Sequence, residues 1–258
     1  MADISRITAL FSEERFTFVD LTHPMKADMP VWPTHPRFCQ EVIESYDNGD
    51  VACNHSLCLS EHSGTHFDAP LHFVKSGSSI AEIAPRQFFG RMATISALDA
   101  RPCEAVGVAR IQVFEESHGQ IQAGDAVFFH FGWDRFWADA SQHGRFLSDW
   151  PGLSKEASEL LRDRGVRIVG SDCLSIDHDG STDFPAHNTL LGADILVGEN
   201  FANLGQLPPY CFLTAMPLPI EGGSGSPARA VALVGAPDES DHGQGISLET
   251  GTISRGKV

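Results

Sequence analysis

The stretch His62-Ser63-Gly64-Thr65-His66-Phe67-Asp68-Ala69-Pro70-Leu71-His72 gathers three histidines and one carboxylate into eleven residues. Gly64 and Pro70 argue against a uniform helix or a central strand across it. On a straight strand, residues ten apart are separated by about 33 Å, so His62 and His72 act together only if the segment curls. His62 and His66, four apart, meet on one helical turn or in a tight loop, and Asp68 follows two residues later. Neutral imidazole with carboxylate oxygen is a borderline ligand set, suited to zinc or manganese. The simplest division makes His62, His66 and Asp68 ligands and leaves His72 free as an acid or base. Such a set leaves positions on the ion open, the pattern of a catalytic site rather than a closed structural one.

Further along, His187 and Glu199 flank the apolar run Ile195-Leu196-Val197. Glu199 directly after Gly198 suits a strand end facing a site, although taken alone the pair reads more readily as a buried ion pair or an exposed Glu. Ala126 to Phe131 is almost continuously apolar, as a strand buried on both faces should be. Phe16–Asp20, Leu57–Leu59, Met92–Ser96, Val166–Val169 and Ala230–Val234 read as further strands. The clearest helix spans Lys155 to Arg164, with Ser154 as N-cap, Leu160 and Leu161 on the apolar face and Gly165 as the stop. Ser79 to Phe89 reads as a shorter helix broken by Pro85. Many strands and few helices predict an α/β or α+β domain around a central sheet or barrel. No linker or repeat divides the body, so residues 1–235 are expected to form one domain. Ala236 to Val258, polar and Gly-rich, is expected to be a tail or an arm across a partner subunit.

Composition narrows the partners. The 258 residues are 42% apolar and carry a formal net charge of −16. That field repels phosphates and argues against nucleic acid or an anionic membrane, but it says little about the substrate, because a metal site is locally positive whatever the outer surface carries. The six cysteines form no C-x-x-C pair. Met1 to Arg15 lacks an apolar core and no run has transmembrane length, so reduced thiols in a cytoplasm are expected. His23, His35, His55, His118, His130, His143, His178 and His242 read as surface or structural residues. Asp172 and Asp177 read as supports for the site.

The motif His62-x-Gly64-Thr65-His66-x-Asp68-x-Pro70-x-His72 resembles the signature of the metal-dependent cyclase-family hydrolases, which include bacterial kynurenine formamidase and isatin hydrolase. Asp20-Leu21-Thr22-His23-Pro24 with Met29-Pro30-Val31-Trp32-Pro33, Gly170 to Asp177, His187 to Leu204 and Gly225 to Ala230 resemble its other segments, in the family's order. The resemblance implies a swivelling β/β/α domain, strand-rich, in a homodimer or homotetramer. It implies that His62, His66 and Asp68 bind a first metal, and that Asp68 bridges to a second held by His187 and Glu199. His72 would be the proton shuttle and Trp32 would line the substrate pocket. Glu rather than Gln at 199 favours two ions, zinc or manganese. Thr65 stands where formamidases usually carry Ala. The activity implied is hydrolysis of an aryl formamide such as N-formylkynurenine by a metal-activated water. The alternatives are ring opening of a cyclic amide or lactone by the same residues, and a metal- or ligand-binding protein without turnover.

Overall fold

The computed structural model describes residues 4–12 and 15–235; the expected tail Ala236–Val258, with His242, lies outside them. The chain divides into two compact units, residues 1–17 with 235–258 and residues 18–234. The first contains helix α1 (Ile4–Ser12).

The strands are β1 (Phe16–Asp20), β2 (Cys39–Glu44), β3 (Asn54–Cys58), β4 (His66–Asp68), β5 (Phe89–Ser96), β6 (Ala105–Val106), β7 (Ala126–His130), β8 (Gly152–Leu153), β9 (Ile168–Ser171), β10 (Leu196–Glu199), β11 (Tyr210–Pro217) and β12 (Gly225–Gly235). Between them lie helices α2 (Val108–His118), α3 (His143–Phe146), α4 (Lys155–Arg164) and α5 (Pro185–Leu191). The large sheet runs β1-β12-β11-β5-β7-β9-β10-β4, and β4 pairs again with β12. Seven strands therefore close into a barrel-like ring, and β1 adds to it along β12. Within the ring β5, β7, β9 and β10 are parallel neighbours, while β4, β11 and β12 pair antiparallel.

Alternation along the strands fills two cores. Phe67, Met92, Phe128, Ile168, Leu196, Leu213 and Ala230 come from all seven ring strands and pack together inside. Phe129, Val169 and Val197 face outward and pack with Phe114 of α2, Leu161 of α4 and Leu190 of α5. Strand β7 is thus buried on both faces, which is why its sequence lacks polar alternation. Crowding inside the ring fixes the glycines: a Cβ at Gly170 would lie 2.4 Å from the Phe128 ring and 2.6 Å from the Gly198 carbonyl oxygen.

The expected helix at Lys155–Arg164 is present as α4, with the Ser154 hydroxyl accepting from the Ala157 amide and Gly165 left-handed at φ 73°. The Ser79–Phe89 helix is corrected. Short 3₁₀ turns occupy Ile80–Glu82 and Pro85–Phe88, separated by Ala84 in extended conformation, the geometry that Pro85 imposes on the residue before it. Leu57 and Cys58 end an exposed hairpin, β2 with β3, that forms its own two-stranded sheet. The strand expected from Val166 begins at Ile168. Among the described residues no helix is long and apolar enough to cross a membrane.

Candidate metal centre

Strand β4 builds the middle of the site. His66 and Asp68 are two apart and so share one face, while Phe67 between them points into the ring core and is fully buried. Strand β10 lies against β4 with Glu199 opposite His66 and Val197 opposite Asp68, so the pairing register sets the second carboxylate beside the first imidazole. His62 precedes β4 in a loop that turns at Gly64, left-handed at φ +65°. His72 ends a 3₁₀ turn over Pro70–His72. The segment therefore curls, and the His62 and His72 rings stand 4.0 Å apart between centroids instead of at the ends of a strand. His187 comes from α5.

The hydrogen bonds fix which atoms face inward. His66 Nδ1–H donates to the Gly64 carbonyl at 2.8 Å, leaving the Nε2 lone pair 3.3 Å from Asp68 Oδ1 and 3.5 Å from Glu199 Oε2. His187 Nδ1–H donates to Asp177 Oδ2 at 2.7 Å, leaving its Nε2 3.4 Å from Asp68 Oδ2 and 3.2 Å from Glu199 Oε1. Two imidazole lone pairs thus converge on two carboxylates. His66 Nε2 and Asp68 Oδ2 are buried without a hydrogen-bond partner. In this donor set only a cation, either a proton on each imidazole or a metal ion, makes the approach favourable. Burial alone would lower His66 and His187, but Asp68 and Glu199 hold the first above its ordinary value, and Asp177, Asp68 and Glu199 hold the second well above it. Burial would raise Asp68, yet His62 and then His187 and His66 bring it well below the usual carboxylate range. The residues present fit a divalent ion.

Donor atoms within 4.8 Å of one another form two triads that share Asp68: His62 with Asp68 and His72, and His66 with Asp68 and Glu199. The grouping differs from the one expected, because His62 associates with His72, the residue set apart as the acid or base. His62 also hydrogen-bonds Asp68 directly, Nδ1 to Oδ1 at 2.6 Å, with the Ser224 hydroxyl 2.8 Å from Nε2. Burial pushes His72 down to about 4, with Asp68 acting the other way. Its imidazole is neutral at pH 7, not poised near neutrality as a free surface histidine would be.

Beside these donors lies a cavity of about 190 Å³. Trp32 lines it, with Phe73, Leu174 and Phe184 completing an apolar wall and Ser175 and Asn200 adding polar groups. His35, read as surface or structural rather than as a ligand, also lines it. A lone histidine in a Pro-rich loop carries no local signal of this; its place follows from the turn that carries Trp32. Asp177 supports the site as expected: besides His187 Nδ1 it accepts from the backbone amides of Ala186 and His187. Asp172 accepts from the amides of Phe131 and Trp133 and so shapes the loop after β7. Thr65 has its own use here. Its hydroxyl donates to the Asn200 carbonyl at 2.6 Å and accepts from the His23 amide at 3.0 Å, two bonds that Ala could not make.

A closed ring of strands, with imidazoles and carboxylates converging beside an aromatic cavity, defines a site for divalent-cation chemistry on a small molecule. A family model described as putative cyclase matches residues 19–178, and the chain belongs to that family. It is 31% identical over 214 residues to a kynurenine formamidase of Erythrobacter litoralis, covering 82% of this chain and 91% of that one. Isatin hydrolase A from Labrenzia aggregata, solved bound to benzyl benzoate, superposes with a TM-score of 0.83 at 30% identity, over 90% of this chain and 99% of that one. A structure described as a potential metal-dependent hydrolase with cyclase activity superposes at 0.69 with 25% identity, over 86% of this chain and all of that one.

Proposed function

We propose that this chain is a metal-dependent hydrolase of small amides, with an aryl formamide such as N-formylkynurenine as substrate class. One observation carries the reading: the Nε2 atoms of His66 and His187 converge on Asp68 and Glu199 at 3.2–3.5 Å, beside a cavity walled by aromatic rings. His62, His66, Asp68, His187 and Glu199 would hold the metal, zinc or manganese, and Asp68, with one oxygen 3.3 Å from His66 Nε2 and the other 3.4 Å from His187 Nε2, supports two ions per chain. A divalent ion there lowers the pKa of water and polarises a carbonyl. His72, neutral and next to His62, is free to take a proton from the attacking water and pass it to the leaving nitrogen. Trp32, Phe73 and Phe184 give an aryl group flat surfaces to lie on.

Ring opening of a cyclic amide or lactone is the second reading. The likeness to isatin hydrolase A favours it, as does the cavity of about 190 Å³, which suits a compact ring. A cytoplasmic homodimer or homotetramer is part of the same proposal. The β2–β3 hairpin supports the oligomer, because Val42, Ile43, Val51 and Leu57 are all exposed on it or at its turn.

The test is elemental analysis of the purified protein together with hydrolysis of N-formylkynurenine, isatin and simple lactones, before and after chelation. About two metals per chain and chelator-sensitive turnover are expected, and the preferred substrate separates the two readings. His72→Ala should bind metal normally and lose about 10²- to 10⁴-fold in kcat. A tightly metallated protein inert on the whole panel would point instead to binding without turnover.

A further inference from the structure

The β2–β3 hairpin sets Cys39 directly opposite Cys58. Directly opposed residues of an antiparallel pair have Cα atoms about 4.5–5.5 Å apart, inside the range of about 4.4–6.8 Å that a disulfide spans. The two side chains hydrogen-bond each other, and both cysteines are free, Cys39 half-buried and Cys58 exposed. Their face of the hairpin continues with Glu41 opposite Ser56, while Gln40 and Val42, opposite Leu57 and His55, point to the other face. The exposed apolar residues Val42 and Leu57 therefore do not cover the sulfurs. Phe38, buried in the outer core, and Leu59, packed against that core, flank the pair, so the cysteines sit where the hairpin leaves it. Among the described residues the hairpin forms no ladder with the large sheet, and a two-stranded hairpin on its own is marginally stable.

We propose that Cys39 and Cys58 are a reversible dithiol–disulfide pair, closed by a low-molecular-weight disulfide such as oxidised glutathione, that clamps the hairpin at its root. Burial and the bond to Cys58 raise the Cys39 thiol, so the exposed Cys58 is the sulfur that meets the oxidant first. Its thiolate attacks one sulfur of the small disulfide, whose S–S bond breaks and releases one small thiolate. Cys39 then gives its proton to water, and its thiolate attacks the Cys58 sulfur and expels the second small thiolate. The protein loses two electrons and two protons, and the small disulfide is reduced to two thiols. Exposed disulfides are the labile ones, so reducing conditions return the dithiol.

The experiment treats wild type, Cys53→Ser, Cys39→Ser and Cys58→Ser with oxidised glutathione and reads intact mass and disulfide-linked peptides. Wild type and Cys53→Ser should lose the mass of two hydrogen atoms and give peptides joined through Cys39 and Cys58, and dithiothreitol should reverse the change. Cys39→Ser should instead keep a glutathione adduct on Cys58, and Cys58→Ser should form no bridge. A stable adduct on Cys58 of wild type, a bridge to Cys53 in its place, or two unchanged sulfurs overturns the proposal. Hydrogen exchange of the amides from Gln40 to Leu57 reads the clamp. It should slow about tenfold on oxidation of wild type, because the closed loop restrains the open hairpin, and should stay the same in Cys39→Ser under the same treatment. A bridge that forms without slowing exchange overturns the clamp.

Discussion

Asp177 never faces the converging donors, yet it decides what His187 can do. By accepting from Nδ1–H at 2.7 Å it fixes the tautomer and aims the Nε2 lone pair at Asp68 and Glu199. It also accepts from the amides of Ala186 and His187, so one carboxylate holds both the ring and the first turn of its helix. An outer carboxylate of this kind raises the basicity of the imidazole and removes its rotational freedom. Asp177→Asn keeps the shape but replaces a charged acceptor with a neutral amide. Metal affinity should fall by about 10- to 100-fold, measured by competition with a chromophoric chelator, while the circular dichroism spectrum stays the same. Unchanged affinity would show that His187 is not a ligand. At this scale the sequence was legible where donors crowd together. Five donors and one shuttle candidate follow from His62–His72 and from His187 and Glu199, whose types and spacing restrict the chemistry. The place of His35 on the cavity wall was not legible, because nothing local marks an isolated histidine carried there by the turn beneath it.

At the scale of elements, alternation explains both what could be foreseen and what could not. Helix α4 announces itself with a cap, an apolar face and a stop glycine. Helix α2 starts at Gly107 with no side-chain cap, and α5 starts after Phe184 in a left-handed conformation, also uncapped; neither leaves a signature to read. Strand β4 is only three residues long, too short for a period to be counted, yet its alternation places His66 and Asp68 on one face and Phe67 in the core. The neighbouring strands must approach closely for this to hold, and Gly170 and Gly198 permit it. Gly170→Ala would drive a methyl group to 2.4 Å from the Phe128 ring and 2.6 Å from the Gly198 carbonyl oxygen. One of these is backbone and cannot rotate away. Overpacking of this kind costs about 1–3 kcal/mol or more. The urea midpoint should drop with the slope of the transition unchanged; a midpoint equal to wild type would mean that the ring core yields more easily than its packing indicates.

At the scale of the whole molecule, the closure of the sheet was beyond local reading, because β12 meets β4 across more than 150 residues and pairing over such a separation leaves no pattern in either strand. Burial against the outer core has an electrostatic consequence at His23. Its amide is tied to Thr65 next to β4, and its ring stacks on Trp137 at 4.3 Å with 13° between planes. Its Nε2 is buried without a partner. Burial pushes the imidazole down to about 4, with Asp134 and Asp20 acting the other way. In the unfolded chain the ring titrates at its ordinary value of 6.5. Between those two values the unfolded state binds a proton that the folded state refuses, so stability falls as pH drops from about 6.5 to about 4 and is unaffected above that range. A difference of this size corresponds to about 3 kcal/mol at the acid end. His23→Phe preserves the stacking and removes the titration. The gap in unfolding free energy between variant and wild type should therefore be constant above pH 7 and should move in favour of the variant by about 3 kcal/mol by pH 4. Taking the difference at each pH, with both proteins stripped of metal by chelator, cancels the acid sensitivity of the other histidines and carboxylates. A gap that stays flat across the range would mean that His23 accepts its proton inside the fold, and that the packing against Trp137 does not seal it from water.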